Sequence, residues 1–343
     1  MDNLSTFFDK NYLSRGLVLY NSLKKHSNNF EFYILCLDDF TYNYFNSNKL
    51  NYPEIISIQL SDIEEEHEEL LNVKKNRSTI EYYFTLSPIL PLYLLKKYNL
   101  LHICTLDADI LFLNSPEKIF NKLNEYSIII TPHKFSNENI DKQRYGVYNV
   151  SFQIFKNNKI GLKCLEYWKS QCLEYCSDKL DIINNRFADQ KYLDNWNELY
   201  PNEVFSLNDN TSGLAPWNLD NYNLKVENNQ FYSNEEKIIF YHFHQFKIFN
   251  KKWASNGFDE YKVKRQIAID DLYLYYWNKI DFYNNQITNN EVISIRYLQS
   301  KNIISKLLKE KIVYKKINEF RIKRISFRTI PKFIRKLIIK IYG

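Results

Sequence analysis

Two acids one residue apart interrupt an apolar run in CTLDADILFLNSP, residues 104 to 116: Leu106 precedes Asp107, and Ile110, Leu111 and Phe112 follow Asp109. An ionised carboxylate among core residues is costly unless something cationic meets it. Hard divalent cations take oxygen ligands, Mg²⁺ at about 2.0 to 2.1 Å, and share their sites with substrate phosphates. The i, i+2 spacing lets both carboxylates converge where a strand turns. A lone D-x-D is more often a solvated turn, so company decides. It comes from IIFYHFHQFK, residues 238 to 247, where His242 and His244 close another apolar run. Imidazole is an acceptable third ligand at a Mn²⁺-type site. Two residues apart on a strand, both rings share one face, so either can be the ligand, and Lys247 follows within reach of a phosphate. Asp189 and Gln190, in RFADQKYLDNW (186 to 196), open a helix whose buried side includes Tyr192, Leu193 and Trp196. The helix dipole alone favours an acid there. The chemical alternative has Asp189 bonding sugar hydroxyls and Gln190 beside a reacting carbon.

Ligands of open α/β sheets gather at the carboxyl ends of strands, so the elements around these residues matter. Short apolar runs alternate with helical patterns along the chain, the signature of β-α-β organisation. Strands are predicted at 4–8, 30–37, 55–58, 126–131, 148–155 and 238–243, with another that begins near Leu101 and runs out at the two acids. Helices are predicted at 12–26, in the acidic piece DIEEEHEELL, at 78–98, after Ser115-Pro116, at 159–176, at 187–199 and at 260–280. Within 78–98, Pro88 and Pro91 call for a kink or a fresh start. Residues 208 to 236 are Asn-rich and read as loops with short strands. The fold class is therefore α/β, a mixed Rossmann-like sheet flanked by helices.

Of the 46 Lys and Arg, 15 fall in residues 296 to 343 against two acids, Glu310 and Glu319, leaving a mildly acidic body and a strongly basic tail. Such a split suits a tail that meets an anionic surface. In TIPKFIRKLIIKIYG the apolar Ile330, Phe333, Ile334, Leu337, Ile338 and Ile341 keep helical spacing, while Lys332, Arg335, Lys336 and Lys340 take the other face. The reading is a body at 1–290 and a basic amphipathic helical tail at 291–343 that lies on a membrane. The five cysteines are odd in number, and no second Cys/His pair stands at zinc spacing. A reducing compartment fits. The N-terminus has no signal-peptide pattern, and no window reaches 18 uninterrupted apolar residues.

Four segments, TFFDKNYLSRGLVLYNSLKKH (6 to 26), LDADILFLNSP (106 to 116), YNVSF (148 to 152) and FADQKYLDNW (187 to 196), followed by YHFHQFK (241 to 247), together resemble a nucleotide-diphospho-sugar glycosyltransferase of the GT-A fold. The match is to family 8-like bacterial enzymes that build lipopolysaccharide and capsule sugars, and it runs in the expected order over residues 4 to 250. The resemblance implies that Phe7, Asp9 and Asn11 contact the base of a UDP-sugar, and that Arg77 reaches the donor sugar or phosphates. Asp107 and Asp109 become ligands of Mn²⁺ or Mg²⁺, with Asp107 also near the ribose or sugar. Asn149 bonds the transferred sugar, Asp189 and Gln190 flank the anomeric centre, His242 completes the metal set and Lys247 meets the phosphates. Gln245 stands where that family carries glycine, and Lys247 comes one residue early, which leaves His242 or His244 and the role of Lys247 open. GLAPWNL (213 to 219) resembles a feature of a subgroup, and Trp217 is a candidate for stacking on the acceptor sugar. The implied reaction retains anomeric configuration, with a glycan or lipid-linked acceptor at the inner face of a bacterial cytoplasmic membrane.

A sugar-phosphate nucleotidyltransferase is the alternative, using a similar sheet and metal. It needs a Gly-rich basic loop after the first strand, and residues 8 to 16 hold one glycine. A nucleic-acid partner is excluded by the acidic body and the lack of a recognition motif.

Overall fold

The computed structural model describes residues 1–27, 29–264, 266–290, 307, 312–318 and 321–326. Its centre is a seven-stranded mixed sheet of order β3-β2-β1-β4-β7-β6-β8, built from β1 (Asp2–Phe8), β2 (Phe30–Cys36), β3 (Ile55–Gln59), β4 (His102–Leu106), β6 (Ile128–Pro132), β7 (Tyr148–Lys156) and β8 (Val204–Ser206). Strands β3, β2, β1 and β4 run parallel, and β7 lies antiparallel between β4 and β6. Strand β5 (Ile110–Phe112) leaves this sheet after two acids.

The sheet is apolar on both faces because helices cover both. Along β2, Phe32, Ile34 and Cys36 face one core with α1 (Leu13–His26) and α2 (Asp39–Ser47), while Tyr33 and Leu35 face the other. That second core holds the short helices α3 (Leu60–Glu66) and α4 (Glu69–Lys74), then α5 (Thr79–Lys97). It also takes in α7 (Lys159–Glu174) and α8 (Trp196–Leu199), whereas α6 (Glu117–Phe120) belongs to the first core.

Helix α5 runs unbroken through Pro88 and Pro91, against the expected kink or restart. Ser78 and Glu81 form a capping box at its start, and Leu86, Ile89, Leu90, Leu92, Leu94 and Leu95 are all at most 1% exposed. Six buried side chains at roughly 1.5–3 kcal/mol each outweigh two interior prolines at about 3 kcal/mol each.

Three small antiparallel sheets complete the body. Strands β9 (Leu224–Glu227), β10 (Gln230–Ser233) and β11 (Glu236–Lys237) form one, and β12 (Phe240–His242) pairs with β5. The third is β13 (Lys247–Ile248), β14 (Trp253–Ser255), β15 (Ile312–Asn318) and β16 (Arg321–Ser326). Helix α9 (Ile267–Asn290) packs on α1 and under a third core that includes Tyr241, Phe243, Tyr273, Tyr276 and Tyr314.

The tail read as helical therefore contains two strands. Tyr314 is buried and donates to Asp270 Oδ1 at 2.7 Å, so this hairpin belongs to the body's sheet. The amphipathic helix read at 330–341 lies outside the described residues. Among the described residues no helix is long and apolar enough to cross a membrane.

Candidate active site

The D-x-D turn is made by the sheet around it. Strand β4 stops at Leu106, Asp107 N donates to Ser151 O at 2.9 Å, and Ile110 N closes a turn on Asp107 O at 3.2 Å. Strand β5 then pairs with β12, placing His242 opposite Ile110, and Phe243 N donates to Asp109 O at 2.9 Å. This register brings the imidazole over both acids. His242 Nε2 lies 3.1 Å from Asp109 Oδ1 and 3.5 Å from Asp107 Oδ2.

Burial alone would disfavour charge on each group, yet the three hold one another. The charges of Asp109 and Asp107 raise the His242 pKa against its burial. Burial pushes Asp107 up to about 6, opposed by His242 and assisted by the charge of Asp109. Asp109 is held at about 2 because His242 overcomes the cost of burial, with His244 and Arg15 adding to it.

Asp107, Asp109 and His242 offer two carboxylate oxygens and a ring nitrogen, all within 4.8 Å of one another. With neutral imidazole the set carries two negative charges and only O and N donors, which suits Mn²⁺ or Mg²⁺. His242 Nδ1 is buried with no partner among the described residues, none of which commits the ring's tautomer by a second bond. Of the two histidines, His242 belongs to this group. His244 lies beside it, ring centroids 5.5 Å apart, and is kept neutral by burial and by His242, its pKa lowered to about 3.

A cleft of about 600 Å³ opens from Asp107. Asp189, Gln190 and Asn149 line one wall. Ala188 takes a left-handed φ of 46° just before Asp189, and Trp168 Nε1 holds the main-chain oxygen of Asp189 at 2.9 Å. The Asp189 carboxyl is 2% exposed, and burial pushes its pKa up to about 7 although the Ser87 hydroxyl pulls it down. Gln190 Nε2 donates to Tyr145 O at 2.9 Å. Asn149 Oδ1 accepts from Ser151 N at 3.1 Å and Ser151 Oγ at 2.6 Å. Asp189 Oδ2 and Asn149 Nδ2 are buried with no partner among the described residues, and both residues line the cleft, where a polar ligand can pair with them.

Phe7, Tyr83, Phe84 and Ile80 also line the cleft, the last three on α5 with Ser87. Asp9 and Asn11 stand outside the lining, the Asp9 carboxylate taken by Asn11 N and Asn11 Nδ2, each at 2.9 Å. Arg77 stands apart from the lining of the cleft. Its guanidinium bonds Thr85 Oγ1 and Leu173 O, at a separate depression between α4, α5 and the end of α7. It braces two helices rather than facing the cleft. Lys247 is exposed in β13 and does not line the cleft, although its charge reaches His244.

Trp217 lines the cleft but is 3% exposed, with its ring edge-on to His242 at 5.4 Å and to His244 at 5.2 Å. Buried Asn218 ties its loop, donating to Gly213 O and His133 O at 2.9 Å each. The ring packs against both histidines while still bordering the cleft. Gln245, at the expected glycine position, does adopt a left-handed φ of 58°. Lys142, Glu260, Tyr261 and Ser87 also line the cleft and went unnoticed in the sequence, where nothing local marks them.

No protein-family model matches the chain. Two proteins of Bacillus subtilis (strain 168) are similar in sequence. The uncharacterized protein YfnD is 27% identical over 283 residues, 80% of this chain and 87% of that one. The uncharacterized protein YfnF is 29% identical over 252 residues, 71% of this chain and 81% of that one. Among solved structures, likenesses fall on glycosyltransferases. Mouse xyloside xylosyltransferase 1 is 12% identical with a TM-score of 0.45, covering 70% of this chain and 97% of that one. The galactosyltransferase LgtC, solved with donor and acceptor sugar analogues, is 16% identical with a TM-score of 0.41, covering 62% and 74%. GlyE of Streptococcus pneumoniae TIGR4 is 14% identical with a TM-score of 0.42, covering 62% of this chain and 46% of that one. At such scores the activity has to be argued from the site.

Proposed function

We propose that the chain is a metal-dependent glycosyltransferase that moves a sugar from a UDP-sugar to a glycan or lipid-linked acceptor in cell-surface polysaccharide synthesis, in a GT-A type fold. The observation that carries this reading is the convergence of Asp107, Asp109 and His242 beside a cleft that Asp107 and His242 line together with aromatic rings and the polar side chains of Asp189, Gln190 and Asn149. The aromatic rings suit a base, the acids suit a metal with a diphosphate, and the polar side chains suit a sugar.

In the reaction the bond from the anomeric carbon to the diphosphate oxygen breaks, a bond to the acceptor oxygen forms, and the acceptor's hydroxyl proton is released. Asp107, Asp109 and His242 would hold Mn²⁺ or Mg²⁺, which when bound would neutralise charge on the departing diphosphate. Asn149 Nδ2 can donate to one sugar hydroxyl, and the Asp189 carboxyl can accept from or donate to another according to its protonation. Gln190, fixed by Tyr145 O, lies beside them. Retention of configuration is the proposed outcome. A carboxyl with a pKa near 7 also has the poise of a general base, which would serve inversion instead. NMR of the product anomer decides.

We place the protein on the inner face of a bacterial cytoplasmic membrane. Support lies in the basic residues of 291–343, each worth about 1 kcal/mol near an anionic leaflet. Sedimentation with anionic vesicles should show binding that fades with salt, and equal binding to neutral vesicles would refute this placement. For the activity, calorimetry of UDP with and without Mn²⁺ is the test. Metal-dependent binding is expected, and binding of UDP that ignores the metal would refute the proposal.

A further inference from the structure

Lys142 is the sole Lys or Arg among the described residues that line the cleft. It sits in the 3₁₀ segment Asn137–Tyr145, with its ammonium 5.1 Å from the centroid of the Tyr261 ring and 3.7 Å from Glu260 Oε1. Tyr261 in turn touches the rings of His244 and Trp217, which flank His242. Its charge helps to keep His244 neutral. Lys142 thus stands one ring away from the histidines beside the metal ligands.

Lys247 is exposed and outside the lining, and Arg15, Lys134, Lys118 and Arg77 are engaged elsewhere. Arg15 Nη2 donates to Phe246 O at 3.0 Å, and Lys134 Nζ donates to Asp209 O at 2.8 Å and Ser212 O at 2.7 Å. Lys118 donates to Thr211 Oγ1 at 2.9 Å, and Arg77 is bound between two helices. The contact of Lys142 with Glu260 is different in kind. At 3.7 Å it is an ion pair too long for a direct hydrogen bond, and both side chains are partly exposed, Lys142 by 21% and Glu260 by 43%. Such pairs hold weakly and exchange readily.

Glu260 has a second tie. Its other oxygen, Oε2, accepts from Gln245 Nε2 at 2.6 Å. Gln245 holds a left-handed backbone conformation that a side chain adopts only at a cost, so the position keeps an amide where glycine would sit without strain. The amide anchors the carboxylate independently of Lys142.

We infer that Lys142 exchanges Glu260 for the diphosphate of the donor, with Gln245 holding Glu260 aside, so that Lys142 and not Lys247 is the phosphate lysine of this chain. The inference rests on the proposed donor. Unlike a fixed cation, a lysine with a resident acid releases the spent diphosphate by returning to that acid.

Calorimetry on the full chain with Mn²⁺ tests it, using UDP and, as a ligand without phosphate, uridine. Lys142→Ala is expected to weaken UDP by about tenfold to a hundredfold, the scale of one charge-assisted hydrogen bond, and to leave uridine unchanged. Glu260→Gln, which frees the lysine, is expected to tighten UDP several-fold. Equal UDP affinity in Lys142→Ala and wild type, or a loss that falls on Lys247→Ala alone, overturns the inference while leaving the donor standing. A parallel loss of uridine marks a fold defect and equally overturns the assigned role, provided Lys142→Arg fails to restore UDP. Failure of wild type to bind UDP with Mn²⁺ overturns the donor and the inference together.

Discussion

Replacing Asp189 with Asn tests the electrostatics of the cleft wall without any ligand. The carboxyl ordinarily titrates near 3.8 and is pushed up to about 7 by burial, against the Ser87 hydroxyl. Ionising it inside the folded chain therefore costs roughly 4 kcal/mol more than in the unfolded chain, at about 1.4 kcal/mol per tenfold in proton affinity. The folded state binds the extra proton between these two values, so stability from this group is complete below about pH 4 and drains away as pH rises through 7. Between pH 5 and pH 8 the wild type should lose roughly 3 kcal/mol that Asp189→Asn does not lose. Urea unfolding of both proteins across that range measures it. The difference between the two profiles cancels most of the titration that both proteins share and retains the charge coupling of Asp107 with Asp189. Profiles that run parallel from pH 5 to pH 8 would refute a desolvated carboxyl at this position.

Other outcomes follow from the same geometry. Asp109→Ala should abolish stabilisation by Mn²⁺, which at a hundredfold excess over the dissociation constant is about 2.7 kcal/mol in wild type; a retained thermal shift would remove Asp109 from the ligand set. Gly213→Ala should cost about 1–3 kcal/mol in chemical denaturation, because φ is +69° there and an added Cβ would lie 2.6 Å from Thr131 Cγ2. The five cysteines are all buried and free, and burial pushes the Cys36 thiol up to about 12. A thiol reagent should thus titrate five groups in denaturant and almost none in native protein, and rapid native labelling would contradict the packing around α7.

What the sequence revealed depended on how local the signal was. Strands β1, β2 and β7 and helix α1 fall within two residues of expectation, since their alternating or helical patterns are complete within each segment. The metal acids were legible as a break in an apolar run, and His242 as the end of another. Helix α9 was expected at 260–280 and begins at Ile267. Gln266 accepts from Leu224 N and donates to Tyr222 O, and Lys264 N donates to Asp220 Oδ1, tertiary bonds that hold the preceding stretch as a loop. The segment expected as a helix at 187–199 is a 3₁₀ turn, Gln190–Asn195, followed by the short α8, because apolar residues at 192, 193 and 196 fit either winding. In β15 and β16 the basic residues hid the strand pattern, although Lys316 pairs with Asp281 at 2.7 Å. Lys142 carried no signal at all, for its meaning lies in Glu260 and Tyr261, more than a hundred residues away.

The pairing of β5 with β12 has a consequence for how the protein is made. Asp109 and His242 are brought together only when two stretches separated by well over a hundred residues have docked, and closing so long a loop is entropically late. A ribosome-bound chain that ends before residue 240 has both acids and no imidazole between them. Tight manganese capture should consequently serve as a completion signal in refolding, arriving after helical content is regained and in step with native tryptophan fluorescence.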